Sequence, residues 1–166
     1  EAFSFHATKV FNTFEGGAVA TNDSEVAESV RRMRNFGLSG SDAAQGPGIN
    51  GKMNEISAAM GLVNFESLDE FLECNRTNYC AYVKGLAGVP GLRLLPHDFA
   101  DMRNHHYVVV EVDECESGIS RDRLMEALHA ENVLAKRYYW PGCHRVEPYR
   151  SQPRYANLQL PVTDRL

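Results

Sequence analysis

The 166-residue chain has no apolar run approaching the roughly 20 residues a helix needs to cross a bilayer. Residues 1–20 lack the basic start and apolar core of a secretory leader. There is no basic run to follow a phosphate backbone, and 17 Lys+Arg against 22 Asp+Glu give a formal charge of -5, which argues against nucleic acid as a partner. The sequence also lacks a C-x-x-C pair. Cys74, Cys80, Cys115 and Cys143 are scattered, so neither a zinc site nor a disulfide framework is expected, and all four read as reduced, mostly packing residues. No repeat or low-complexity segment occurs. An initiator methionine is missing as well, and "LQLPVTDRL" stops without a polar tail, so the chain reads as a piece of a longer one. What is present, 43% hydrophobic and 23% charged residues, is globular composition sufficient for a core, and the expected location is the cytoplasm.

Short strands are expected at 2–5 and 17–21, the second ended by Asn22 and Asp23. Asn22-x-x-Glu25 has the form of a capping box, and Val26, Ala27, Val30 and Met33 repeat at helical spacing up to Asn35-Phe36-Gly37. Residues 37–51, "GLSGSDAAQGPGING", are too glycine-rich to be anything but a loop. From Asn54 a long helical pattern runs to Leu86, with a slip of phase near Asp69 that predicts a kink or a second helix. Beyond Val89-Pro90-Gly91, strands are expected at 92–96, 106–114 and 133–140, with a helix capped by Ser120 between the last two. Strand, strand, helix, strand is a small α/β layer.

The stretch "FSFHATKVFNTFEGGAVATND" sets Lys9 beside Val10, Phe11 and Phe14. A lysine in an apolar setting has a lowered pKa and a free amine, able to form a Schiff base with an aldehyde. An isolated lysine of this kind is otherwise an exposed residue whose stem covers its neighbours.

The residues Ser4-Phe5-His6-Ala7-Thr8-Lys9 and Glu15-Gly16-Gly17-Ala18-Val19-Ala20-Thr21-Asn22-Asp23 together resemble the DegT and StrS sugar aminotransferases, which are fold-type-I pyridoxal phosphate enzymes. The likeness continues through Arg34-Asn35-Phe36-Gly37, the segment from Gly48 to Gly61, and Leu68-Asp69-Glu70, covering essentially the whole chain. It implies an α/β fold that is partial: the remainder of a large cofactor domain over 1–70 and a small C-terminal α/β domain over 71–166. By the resemblance Lys9 matches the lysine that carries the cofactor and shuttles the proton, and Ser4 the serine that donates to its phosphate. Short hydroxyl donors suit a phosphate dianion. Asn50 and Lys52 match a segment that reaches the cofactor phosphate of the other subunit, with the contact open between the two. Most relatives carry arginine where this chain has Lys52, so a point charge replaces a bidentate donor there.

In "RYYWPGCHRVEPY" (137–149) His144 matches a histidine near the sugar pocket, with Tyr138 and Tyr139 as further substrate-side residues, though Pro141-Gly142-Cys143-His144 is a variant spacing and a lone histidine is more often structural. His105 and His106 open the expected strand 106–114, where alternation lets at most one of them face a pocket. No acidic partner sits at metal-ligand spacing to these histidines, so no metal is expected. Glu15, beside two glycines, reads as a turn or sheet residue.

The resemblance therefore implies pyridoxal 5'-phosphate as cofactor and pyridoxamine phosphate as the form that carries the amino group. The donor is an amino acid, glutamate in most relatives, and the acceptor a nucleotide-linked keto-deoxysugar. The enzyme would be a homodimer with a shared active site. A sister branch with histidine at the lysine position removes a hydroxyl instead, and Lys9 argues against it. The front half of the family, with the aspartate that pairs the cofactor's ring nitrogen, is absent from these residues, so the chain alone is expected to be inactive. Two alternatives remain: a truncated paralogue that binds without catalysis, against which Ser4 and Lys9 both weigh, and a cysteine-sulfur lyase of the same fold, which would need a reactive loop cysteine.

Overall fold

A computed structural model of the chain describes residues 1–40, 43–96 and 103–165. Two compact units are present, 1–85 with 96–108 and 86–95 with 109–166. The division falls at 85/86, and 96–108 returns to the first unit; the domain boundary expected from the sequence lies at 70/71.

In the first unit, β1 (Ala2–Ser4) and β2 (Gly17–Val19) form an antiparallel pair with Ser4 opposite Gly17. A Cβ on Gly17 would lie 2.7 Å from the Phe3 carbonyl oxygen, so the pairing needs glycine there. Helix α1 (Ser24–Met33) follows. Its cap is Asp23, whose carboxylate accepts from the amides of Glu25 and Val26, so the Asn22-x-x-Glu25 box expected from the sequence does not form. Asp23 is one residue nearer the helix and has the stronger acceptor for orphan amides.

The expected loop 37–51 folds back on the end of α1, with its residues 41 and 42 outside the described ones. Bridges pair Asn35 with Asn50 and Leu38 with Ala44. The backbones cross so closely that a Cβ on Gly37, at φ +75°, would sit 2.0 Å from the Gly46 carbonyl oxygen. Asn54 then caps α2 (Glu55–Glu66), accepting from the Ser57 amide at 2.8 Å. A break at Ser67 separates α2 from α3 (Leu68–Gly85), as the slipped phase predicts.

Tyr79 of α3 is the fully buried large side chain of this unit, packed against the buried His105 ring. By contrast α2 shows apolar groups on several sides: Ile56, Leu62, Val63 and Phe65 are all more than 60% exposed. A helix apolar all round is normally covered on all sides.

The second unit holds the antiparallel pair β3 (Leu92–Leu94) and β4 (Val110–Val112), then α4 (Glu114–Ser117), α5 (Arg121–Ala130) capped by Ser120, and α6 (Pro161–Arg165). Both strands are shorter than expected. Residues 133–140, expected as a strand, are not one, because local partners take the groups a ladder would use. The Val133 amide donates to the Leu128 carbonyl, His129 Nε2 to the Ala135 carbonyl, and the Gly142 amide to the Tyr139 carbonyl, with Tyr139 at φ 55°. Among the described residues no helix is long and apolar enough to cross a membrane. Three of the four cysteines are exposed and the fourth half-buried, so they are not the packing residues expected.

Candidate active site

The turn between β1 and β2 is built so that its backbone is bonded and one amine is left outward. The Phe5 amide donates to the Gly16 carbonyl and the Thr13 amide to the Phe5 carbonyl, both at 2.9 Å, which pinches off residues 6–12. Thr13 is buried, and its hydroxyl donates to the Glu15 carbonyl at 2.9 Å. Asn64 of α2 donates to the Asn12 carbonyl at 2.9 Å, Phe11 stacks edge-on with both Phe5 and Phe65, and Gly61 lets Thr13 approach where a Cβ would lie 2.8 Å from its methyl. The turn is thus seated on α2.

Lys9 itself is exposed, and its amine makes no hydrogen bond or ion pair among the described residues. The apolar shell expected around it is not formed, because Phe11 turns inward to Phe5 and Phe65 while Phe14 lies half out in solvent. The Lys9 amide donates to the His6 carbonyl at 2.9 Å, and its carbonyl accepts from Asn12 Nδ2 at 3.3 Å. Ser4 closes β1, and its Oγ accepts a long bond, 3.4 Å, from the His6 amide, which leaves the hydroxyl proton for another partner.

Asn50 and Lys52 are brought together. Lys52 Nζ donates to Asn50 Oδ1 at 2.7 Å and lies 4.1 Å from the centroid of the Phe36 ring, a cation held over an aromatic face. Ile49 and Gly51 are tied to the end of α1 through amides donating to Met33 and Arg34. No hydrogen bond joins this corner to Ser4 or Lys9 among the described residues, although Met53 Cε reaches the backbone at Gly16.

In the second unit a cleft of about 600 Å³ is lined chiefly by aromatic and apolar groups, Tyr138, Tyr139, Trp140, Tyr149 and Leu160 among them. Here His144 is held: its buried ring places Nε2 3.1 Å from Asp164 Oδ1, which also accepts from Arg145 at 2.7 Å, while Asp164 Oδ2 accepts from the Leu160 amide at 3.1 Å. Burial opposes ionisation of Asp164, but the Leu160 amide, His144 and Arg145 outweigh it and hold the carboxyl below its usual range. Tyr138 and Tyr139 stack on each other at 4.6 Å, both well exposed. The Arg121 guanidinium covers Trp140 at 4.6 Å.

Of the residues singled out from sequence, the structure thus places Ser4 at the start of one turn and Lys9 within it, Asn50 and Lys52 in one corner, and His144, Tyr138 and Tyr139 on one cleft. His106 stands outside β4, and its Nε2–H donates to the Thr8 carbonyl at 2.8 Å. His105 is buried against Tyr79, at φ 46°. The strand alternation expected for this pair therefore gives way to irregular backbone that still sends the two rings different ways. His6, Asn64 and Asp164 were not singled out. His6 had a signal, lying two residues before Thr8 inside the motif, whereas nothing in the spacing links Asn64 or Asp164 to its partner.

The first unit thus presents an exposed lysine amine, on a backbone fixed by hydrogen bonds, five residues after a strand-end serine. The chain belongs to the DegT/DnrJ/EryC1/StrS aminotransferase family, whose model matches residues 1–166. The family is pyridoxal phosphate dependent. The chain is 38% identical over 138 residues to a dTDP-4-amino-4,6-dideoxy-D-glucose transaminase of Shigella dysenteriae, covering 83% of this chain and 37% of that protein. Among solved structures it is similar to DesI in the presence of its TDP-sugar product, with TM-score 0.87, 47% identity, and 99% of this chain matched to 41% of DesI. It also resembles Helicobacter pylori PseC, an aminotransferase of pseudoaminic acid biosynthesis, with TM-score 0.86, 26% identity, and 98% of this chain on 44% of PseC. The chain spans about two fifths of the length of the relatives it matches.

Proposed function

We propose that this chain is the C-terminal part of a pyridoxal phosphate-dependent aminotransferase that moves an amino group from an amino acid, glutamate in our reading, onto a nucleotide-linked keto-deoxysugar. The observation that carries it is the turn of Lys9: an exposed amine with no partner among the described residues, on a backbone fixed at both its amide and its carbonyl. The donor set fits the cofactor, since Ser4 keeps a hydroxyl proton to give, Lys52 supplies a cation and Asn50 an amide, and a phosphorylated aldehyde needs an amine and phosphate donors. Pyridoxal phosphate, when bound, supplies an electron sink next to the donor's α-carbon, and as pyridoxamine phosphate it carries the amino group between the half-reactions.

In this reading Lys9 attaches the cofactor and, once displaced, takes and returns the proton. Ser4 donates to the phosphate of its own subunit, and Asn50 with Lys52 to that of the other subunit of a homodimer. His144, Tyr138 and Tyr139 border the sugar. The first unit then corresponds to the end of the large cofactor domain and the second to the small domain, in a cytoplasmic enzyme. The uncovered apolar groups of α2 support an inactive chain in isolation, since a helix apolar on several sides calls for a cover that these residues do not supply. The test uses the whole protein that carries this chain, supplied with glutamate and a dTDP-linked 4-keto-6-deoxyhexose. Mass spectrometry should show 2-oxoglutarate and amino sugar formed together, and glutamate unchanged in the presence of cofactor and sugar would reject the reading.

A further inference from the structure

We propose that His6 and His106 are positioning residues whose rings hold the two backbone groups of Thr8, His106 on its carbonyl and His6 on its amide, and so fix the direction in which Lys9 leaves the backbone. The inference rests on the aminotransferase reading for what Lys9 does, and on the structure for how it is held.

A peptide unit is planar, so two bonds at opposite edges of it fix its orientation. The carbonyl of this unit, on Thr8, accepts from His106 Nε2 at 2.8 Å. Its amide, on Lys9, donates to the His6 carbonyl at 2.9 Å. The preceding amide, on Thr8, donates to His6 Nδ1 at 3.2 Å, and the Thr8 hydroxyl lies 2.9 Å from the same nitrogen. Both polar backbone groups of Thr8 and both of Lys9 are therefore engaged, with Asn12 on the Lys9 carbonyl completing the set.

These bonds also settle the ring protons. A carbonyl oxygen only accepts, so His106 carries its proton on Nε2. An amide only donates, so His6 Nδ1 is unprotonated and its proton sits on Nε2, which faces Glu15 Oε1 at 3.5 Å. Glu15, read from sequence as a turn residue, stands behind the correct tautomer of His6.

The grip on the carbonyl is not local. His106 lies 98 residues from Thr8, its own amide donates to Asn104 Oδ1 at 3.1 Å, and the Asn104 carbonyl accepts from Asn75 Nδ2 of α3 at 3.1 Å. A line of hydrogen bonds thus runs from α3 to the residue before Lys9. Small displacements of a reacting group of about 1 Å lower rates by on the order of a hundredfold, so the grip matters to chemistry more than to folding.

The test compares His106→Leu, which removes the donor, with His106→Gln, whose amide nitrogen restores one, in the whole protein. The parallel pair is His6→Leu against His6→Asn, whose Oδ1 takes the place of Nδ1. Each leucine variant is expected to lower kcat by about ten- to a hundredfold with KM for the keto sugar within twofold, and each amide variant to recover most of it. In cofactor-free protein, hydrogen exchange at the Lys9 and Thr8 amides should speed up about tenfold in the leucine variants only. Should His106→Leu fail to fold, His106→Met against His106→Gln makes the same comparison at similar size. Unchanged kcat and exchange in the leucine variants, or equal losses in leucine and amide variants, overturn the proposal while leaving the aminotransferase reading intact. A wild-type protein that takes up no cofactor overturns that reading, and the positioning role with it, whatever the exchange data show.

Discussion

The Lys9 turn and the aromatic cleft are held by different physics. In the turn, neutral backbone bonds and close contacts do the work: buried Thr13 under Gly61, Asn64 on the Asn12 carbonyl, and glycines where no Cβ fits. In the second unit the stretch after α5 contains no strand among the described residues, and charged side chains tie it down, Arg137 to Asp122 at 2.8 Å and Asp164 to His144 and Arg145. A turn fixed by uncharged hydrogen bonds and close contacts presents one amine in one direction. A cleft fixed by ion pairs stays open to aromatic neighbours and responds to acid and salt.

That contrast can be broken or sharpened by substitution. The largest effect is expected from Gly37→Ala, where a positive φ and a Cβ set 2.0 Å from the Gly46 carbonyl combine; it should destabilise the first unit by about 2–5 kcal/mol in denaturant unfolding. Asn64→Ala, which strips the buried donor from the Asn12 carbonyl, should cost about 1–3 kcal/mol and speed exchange across 9–14. Neither loss should depend on pH near neutrality. If the Asn64→Ala loss does, charge contributes to the turn and the comparison weakens.

The second unit should behave oppositely. The folded-state pKa of Asp164 lies below its unfolded value, so its contribution is complete above about pH 4 and is lost as pH falls through the lower folded value. Exchange over 158–165 should accelerate in that acid window in the wild type, and Asp164→Asn should exchange fast at neutral pH with no further acid step. The smallest effect is expected from Asp122→Asn. Asp122 is held low first by its bond from Arg137, yet the pair is exposed, so its loss should be visible at low salt and vanish near 1 M.

Much of the first unit was legible in the sequence because its signals are local. Helical spacing marks α1 and α2, the phase slip marks the α2–α3 break, and the glycines of 37–51 mark a loop. The cap of α1 was misplaced by one residue because Asn22 and Asp23 are both good caps and spacing does not rank them. The second unit was less legible. Residues 133–140 alternate like a strand, but a strand needs a partner edge, and the bonds to Leu128, His129 and Tyr139 that prevent one are not written in periodicity. The seating of His144 on Asp164 joins residues 20 apart with no pattern between them. Around Lys9, the expectation of an apolar shell failed because the nearness of Val10, Phe11 and Phe14 in sequence said nothing of which way each would turn.

The central claim, that Lys9 is the attachment point for the cofactor, is tested most directly by borohydride trapping. The whole protein is incubated with pyridoxal phosphate, reduced, digested and mapped by mass spectrometry, beside the Lys9→Ala variant. The account predicts a pyridoxyl-phosphate adduct on the peptide containing Lys9 and none at that peptide in the variant, with the fold unchanged because Lys9 is exposed. A stable adduct elsewhere in the wild type, or no adduct with the protein folded, would contradict it.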